Sequence, residues 1–350
     1  MRSLIIPCGG KSSRFPNMRP KWLLTHPDGQ LMIQKAVNCM PLDFFDQIVI
    51  VILQEHVDKY NADIIIKQVF SNNEKIKICV LSGPTGSASE TVATAIKTMN
   101  ICGSITIKDS DNFVVCNLPA SDVNMVVGLK LKPDIKVSNI QGKSFLKINN
   151  QQFIVDIVEK KIVSDIICLG VYQFSDAIEF VKIYETLRKD VIGELFISNI
   201  VSFALREKDN SFKFIEACQF QDWGTFNEWR SVQCAMRTYF VDFDGVLMKN
   251  SGRYGKINWN NNRQMLDNNC KRIAELSKSG GQIIITTSRP ERYRDIIVES
   301  LRKYNIFPYA IIMGLNHSPR VLINDFAPTN PYPAASAINI PRNSDVSEYI

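Results

Sequence analysis

The stretch IPCGGKSSRFPNMRPKWLL, residues 6–24, decides how the chain is read. An apolar strand, LIIP, runs into Gly9-Gly10, and four cations follow within eleven residues: Lys11, Arg14, Arg19 and Lys21. Pro16 and Pro20 break up the segment. A glycine turn after a strand aims backbone N–H groups at phosphate oxygens, and this density of cations suits a polyanion. The pattern G-G-x-x-x-R followed by P-K is neither the phosphate loop G-x-x-x-x-G-K-[ST] nor the dinucleotide fingerprint G-x-G-x-x-G. Taken alone, it equally describes an ordinary strand-to-helix turn with solvated cations, and Lys11 and Arg19 read as exposed.

Working outward, short apolar runs alternate with helical patterns. IVIVIL (48–53), IKICVL (76–81), ITIKD (105–109), MVVGL (125–129) and IICLGVYQF (166–174) read as strands. Segments near 31–40, 57–70 and 88–99 read as helices. This alternation predicts βαβ units, hence an α/β fold with a mixed, mostly parallel sheet covered on both faces. A second cycle begins after a helical stretch near 227–235. TYFVDFDGVL (238–247) is a strand entering a turn, 263–280 a helix ending at Gly280-Gly281, QIIITTS a strand, 291–304 a helix, and YAIIM and VLIND two more strands. Two domains follow, 1–235 and 236–350, joined by a short linker near 235–238. The last residues, RNSDVSEYI, either fray or dock.

The bulk numbers agree with this division. At 350 residues two domains are the default. A hydrophobic content of 45% and a charged content of 22% are those of a globular protein. No apolar run reaches the roughly 18 residues of a membrane span, and the N-terminus lacks a signal-peptide core, so a cytoplasmic location is expected. Nine scattered cysteines form no C-x-x-C pair, and only three histidines are present. They read as reduced, buried thiols, without a zinc site. The net charge of +6 is not gathered into a basic run interleaved with aromatics; nucleic acid is not the expected partner.

Four further stretches join the opening loop. They are GPTGSASET (83–91), IKDSDNF (107–113), VEKKIVSDIICLGVYQF (158–174) and QDWGTFNEW (221–229). In this order and spacing, residues 2–232 resemble the sugar-phosphate nucleotidylyltransferase family, with its Rossmann-like fold. The resemblance implies Mg²⁺-dependent transfer of a nucleoside monophosphate from an NTP to a sugar or polyol phosphate, with pyrophosphate leaving. It implies that Arg14 holds the triphosphate and that Lys21 sits by the α-phosphate or the incoming phosphate. Asp111 and Asp222 would bind the metal, Gly9, Gly10 and Gly86 would approach the nucleotide, and Glu159 and Lys160 would contact the phosphorylated acceptor. Each residue has a plainer reading. Asp111 is also a strand-end cap, with Asp109 beside it as a competitor; Asp222 also starts a helix; Glu159-Lys160 is also a solvated pair. The first loop departs from the family's commoner G-G-x-G-T-R. Leu81-Ser82-Gly83 stands where a Gln or Asn usually precedes the base-loop proline, which leaves the base open.

FVDFDGVL carries D-x-D-G-V at a strand end: Asp242, Asp244, Gly245, Val246. Carboxylates two apart on a strand share a face. Together with IIITTSRPE (283–291) and VLINDFAP (321–328), this resembles the haloacid dehalogenase-like phosphohydrolases over 238–342, with too little chain between the first two elements for a sizeable cap. The resemblance implies Asp242 as nucleophile, Asp244 as acid/base, Thr287 on the phosphoryl group, and Asp242 with Asp325 as Mg²⁺ ligands. Arg320 stands near the expected lysine, with Lys303 further upstream, and Asn324-Asp325 replaces two acids. The expected whole is a bifunctional enzyme, similar to those that make bacterial capsule and lipopolysaccharide precursors, and an oligomer is compatible with it. The alternatives are a nucleotidylyltransferase whose second domain is not catalytic, or a nucleotide-sugar-binding regulatory protein.

Overall fold

The computed structural model describes residues 1–10, 12–133, 137, 139–190, 193–207, 211–261, 264–325 and 333–350, without the side chains of 207 and 261. Lys11, residue 263 and residues 326–328 of the last motif lie outside them. The chain divides into two compact units, Met1–Trp229 and Arg230–Ile350.

In the first unit β2 (Gln47–Leu53) shows why a sheet forms. Its run of Ile, Val and Leu is buried on both faces, as a central parallel strand requires. Val49, Val51 and Leu53 enter one apolar core and Ile48, Ile50 and Ile52 the other, the period-two alternation of a pleated strand. Flanking it are β1 (Arg2–Pro7) and β3 (Ile76–Leu81). The other strands are β4 (Ser104–Lys108), β5 (Asn112–Val115), β6 (Met125–Lys130), β7 (Phe145–Ile148), β8 (Phe153–Val158), β9 (Ile166–Phe174), β10 (Phe212–Glu216) and β11 (Gln219–Asp222). Nine strands form one sheet in the order β3-β2-β1-β4-β9-β6-β10-β8-β7; β11 pairs with β5 apart from it.

The sheet is less parallel than the strand–helix alternation suggested. β1 to β4 run parallel and so do β6 and β10, but β9 lies antiparallel between β4 and β6, and β7 and β8 form an antiparallel hairpin. All nine residues of β9 are buried, and an apolar run carries no mark of its direction. β9 also bulges: Val127 pairs with Val171 but Gly128 with Cys168. At the bulge Gly170 has φ +69, and a Cβ there would overlap the Asp109 carboxylate. The glycine thus admits an acid beneath the sheet's end.

Helix ends follow local chemistry. The helix expected over 57–70 is two, Gln54–Tyr60 and Ala62–Val69, because Asn61 takes the left-handed conformation (φ 51). Ala88–Met99 starts at Ser87, whose hydroxyl accepts from the Glu90 N–H at 3.2 Å, and ends at left-handed Asn100.

The second unit has its own core around Val241, Phe243, Ile283, Ile285, Ile297 and Leu301. Its sheet is parallel, β12 (Thr238–Asp242), β13 (Gln282–Thr286) and β14 (Ala310–Ile312), with Asp242 opposite Thr286. Helices Asp267–Lys278 and Arg294–Arg302 form the crossovers. The chain end docks: the Val346 N–H donates to Asn269 Oδ1 at 2.9 Å and Arg272 Nε to the Ile350 carbonyl at 3.0 Å. VLIND corrects an expectation. Residues 321–325 are irregular and exposed, Ile323 90% so, and β12 has no neighbour on its outer edge among the described residues. Three apolar residues in a row fit a strand by pattern, but this segment finds no pairing partner.

Candidate active site

A cleft of about 890 Å³ opens in the first unit, lined by Cys8, Gly10, Arg14 and Lys21 from the first loop, Thr85–Ser87, Asp109, Asp111, Lys143, Glu159, Lys160, Asp222 and Gly224 among others. The pairing of β5 with β11 builds its floor. Asp222 stands opposite Asn112, and the Trp223 N–H donates to the Asp111 carbonyl at 2.9 Å. A Cβ placed on Gly224 would lie 3.1 Å from Asp222 Oδ1, 3.3 Å from Asp111 Oδ2 and 3.8 Å from the Arg14 Nη1. Two carboxylates remote in sequence thus converge on one point beside the opening loop.

Local structure decides between readings of Asp222. The helix Phe226–Ala235 is capped by Thr225, whose Oγ1 accepts from the Glu228 N–H at 3.4 Å while Glu228 Oε2 accepts from the Thr225 N–H at 2.8 Å. This reciprocal cap meets the helix's need without Asp222. Trp223 and Trp229, 0% and 1% exposed, anchor the segment in the core, their rings edge to face at 6.1 Å.

Asp111 accepts from the Lys21 ammonium, and Lys143 forms an ion pair with Asp222 Oδ2. Burial works to raise the Asp111 pKa, but the charges of Lys21, Arg14 and Lys143 hold it well below the usual carboxylate range. Burial, then the neighbouring Asp111 charge, pushes Asp109 up to about 7. Burial would lower Lys143, yet the Asp222 charge outweighs it and keeps the ammonium raised above its ordinary pKa.

The pair fits a small divalent cation. Asp222 Oδ2 is buried with the Lys143 ammonium as its partner, glycine leaves space above both acids, and hard carboxylate oxygens are what Mg²⁺ prefers. No group of three or more His, Cys, Asp and Glu gathers for a metal among the described residues. An ion held by one or two carboxylates and substrate phosphates is the ordinary Mg²⁺ arrangement.

Glu159 is held by two hydroxyls, whereas Lys160 is exposed. Glu159 Oε2 accepts from Ser144 Oγ and, at 2.6 Å, from Ser198 Oγ. Lys160 takes φ +52, its N–H donates to the Lys143 carbonyl at 3.1 Å, and its ammonium lies 4.1 Å from the Phe196 ring centroid. The glycines separate. Gly10 and Gly86 line the cleft, but the Gly86 N–H donates to Glu90 Oε2 at 2.7 Å. Gly9 is buried against Thr91, whose Oγ1 a Cβ would approach at 3.1 Å; its small size serves packing.

Sequence reasoning missed Lys143, Ser144 and Ser198, which carry no motif. It also missed Lys108, a 0% exposed ammonium that spends its three protons on the Asp109 carbonyl (2.8 Å), the Asn112 carbonyl (2.9 Å) and Asn112 Oδ1. A lysine among the apolar residues of ITIKD was the available signal, since burial needs such partners.

No family model matches the chain, and no curated protein does. Solved structures do. A nucleoside-diphosphate-sugar pyrophosphorylase from Vibrio cholerae RC9 superposes with a TM-score of 0.55 at 20% identity, covering 65% of this chain and 98% of its own. A Bacillus anthracis protein assigned as a glucose-1-phosphate thymidylyltransferase gives 0.53 at 18% identity, covering 66% and 94%. A UDP-glucose pyrophosphorylase complexed with UDP-glucose gives 0.50 at 14% identity, covering 66% and 97%. About two thirds of the chain has an α/β fold like that of these nucleotidyltransferases. The remaining third, the second unit, is not spanned by these matches at full length.

Beside the nucleotidyltransferase-fold unit, the second unit has a cleft of about 690 Å³ lined by Asp242, Asp244, Arg289 and Arg320 among others. Asp242 ends β12, and Asp244 stands in the turn beyond, before Gly245 with φ +100. Asp244 is clamped: Arg289 donates through Nη2 to Oδ1 at 2.6 Å and through Nε to Oδ2 at 2.9 Å, and Thr287 Oγ1 donates to Oδ2 at 3.3 Å. Arg320 approaches Asp242 at 3.4 Å. Burial, with the Asp244 charge, pushes Asp242 up to about 6 although Arg320 opposes it. Asp325 is not brought to this cleft. It lies on the exposed 321–325 segment, and no described contact joins it to Asp242. With Asp244 and Asp242 engaged by arginines and the third acid away, this arrangement does not fit the expected Mg²⁺.

Proposed function

We propose that residues 1–229 transfer a nucleoside monophosphate from an NTP to a phosphorylated sugar or polyol, releasing pyrophosphate. The convergence of Asp111 and Asp222 over Gly224, with Arg14 and Lys21 beside them, carries this reading. Asp111 and Asp222 would hold Mg²⁺, which would supply charge neutralisation of the phosphates. Arg14 binds the triphosphate and keeps hold of the departing pyrophosphate. Lys21 screens the repulsion between the acceptor phosphate and the α-phosphorus. Glu159, fixed by two serines, orients the acceptor's hydroxyls, and Lys160 takes its phosphate. The acceptor oxygen is already anionic, so no general base is needed; the work is positioning and electrostatics. A screen of four NTPs against sugar and polyol phosphates with Mg²⁺ tests it: one pairing is expected to release pyrophosphate, and silence across all of them refutes the proposal.

The second unit is proposed to hydrolyse a phosphomonoester. Asp242 attacks phosphorus as the ester P–O bond breaks, Asp244 passes a proton to the leaving oxygen, and water, giving its proton to Asp244, then cleaves the aspartyl-phosphate. Thr287 and Arg320 hold the phosphoryl oxygens. One observation favours the rival reading of a non-catalytic unit: the third acid, Asp325, stands away. Phosphate release from a generic monoester, abolished in Asp242→Asn, decides between them.

The pH dependence is specific. The attacking carboxylate must be ionised, so kcat/KM for phosphate release is expected to fall about tenfold per pH unit below about 6. The stability effect has the opposite sense. An acid with a raised folded pKa stabilises while protonated, and that share is lost as pH climbs from about 4 through about 6. Asp242→Asn removes the loss and raises stability at pH 7. The side chain is 36% exposed, so solvent screening keeps the gain under about 1 kcal/mol. Thermal melts at pH 5 and pH 7.5 check the sign.

A further inference from the structure

The segment Gly142–Ser144 links the two ends of the first cleft. The Lys143 ammonium pairs with Asp222 at the metal end. Its carbonyl accepts from the Lys160 N–H at 3.1 Å, and the next hydroxyl, Ser144 Oγ, donates to Glu159, both at the acceptor end. The segment is itself fixed, since the Ser144 carbonyl accepts from the Cys168 N–H at 2.8 Å. The Lys143 side chain is 20% exposed and lines the cleft. It is therefore a cation on a flexible side chain anchored to a fixed backbone, within one residue of the proposed acceptor contacts, resting on the carboxylate proposed to hold the metal.

We propose that Lys143 couples metal and acceptor binding. In the empty cleft it occupies Asp222. With a divalent ion held there the ammonium would be released from Asp222 and would join Lys160 on the acceptor's phosphate. The exchange is thermodynamically reciprocal: phosphate draws Lys143 off Asp222 and so raises metal affinity, and metal raises phosphate affinity by the same factor. Without this device two anionic ligands and a cation would assemble independently. With it, the metal seat opens as the acceptor arrives. The inference rests on the proposed metal role of Asp222.

Mn²⁺ binding, read by electron paramagnetic resonance with and without inorganic phosphate, tests it. In the wild-type protein phosphate is expected to tighten Mn²⁺ by about fivefold. Lys143→Met is expected to bind Mn²⁺ at least about fivefold tighter without phosphate, and to lose the effect of phosphate. Complexation of phosphate with free Mn²⁺ is common to both proteins and cancels. Lys143→Gln, which keeps a polar group without the charge, is expected to behave like Lys143→Met and guards against a misfolded variant. Variants that bind Mn²⁺ as the wild type does, or that keep the phosphate effect, overturn the proposal. Asp222→Asn separates the two failures. If it loses Mn²⁺ while Lys143→Met matches wild type, the coupling alone is wrong. If it binds Mn²⁺ as well as wild type, the metal reading has failed and the coupling with it.

Discussion

Asp222→Asn is expected to lower nucleotidyl transfer by about 10³-fold or more, with Asp111→Asn close behind. Both substitutions preserve shape and remove one negative charge. The proposed Mg²⁺ site rests on these two carboxylates, so neither loss is buffered. Each also strands a cation: Lys143 in one case, Lys21 in the other. The stranded charges predict a stability signature. Lys143 has a raised pKa in the folded protein, so its pairing stabilises fully below the unfolded value and is lost only as pH rises through the folded one. Asp222→Asn removes this pairing and also a carboxylate that burial pushes up from its ordinary value, so the two effects on the first unit's melting temperature oppose each other, while activity falls for a separate reason. The double variant should be no less active than the worse single one, since residues that act as a unit are not additive. Pyrophosphate release with Mg²⁺ measures the first effect and calorimetry the second. Activity of Asp222→Asn within tenfold of wild type would remove the metal from the mechanism.

These two acids stood out in the sequence because Asp111 lies in the turn between β4 and β5 and Asp222 closes β11, each within a motif of the resemblance. Sequence also left a rival for each, and local hydrogen bonds bear on one of them: Thr225 caps the helix, so Asp222 does not. Asp109, the other contender, is directed instead under the bulge at Gly170. Lys143 was out of reach because nothing in QGKSF is periodic or punctuated; its meaning comes from a partner 79 positions further along the chain. The same limit applies to β9, whose uniformly apolar run fixes burial and not direction. It also applies to Ile323, which is 90% exposed: its apolar triplet fits a strand yet pairs with no strand among the described residues. Asn61 is the reverse case, a local signal overlooked within a longer amphipathic pattern.

In the second unit the largest effect is expected from Arg289→Ala, a loss of about 3–5 kcal/mol. Arg289 is 0% exposed, and Asp244 17%. Its fork satisfies both oxygens of Asp244, its Nη1 donates to the Trp259 carbonyl at 3.3 Å, and its plane lies 5.1 Å from the Phe243 ring. Truncation to alanine leaves a buried carboxylate without its counter-charge, a carbonyl without its donor and a void against Phe243. Removing one partner of a buried pair is far more damaging than removing both. Arg289→Ala with Asp244→Ala should therefore be more stable than Arg289→Ala alone, although it loses more atoms. Arg289→Lys keeps the charge and loses the fork, and should fall between. By the usual scaling the single alanine variant should melt about 10–20 °C lower. The order double above single is the discriminating result. It follows from an uncompensated charge and not from lost packing, which would rank the double variant last. Calorimetry on the four proteins reads it directly, and a double variant less stable than Arg289→Ala would mean that the clamp holds the turn by shape, with Asp244 indifferent to its partner.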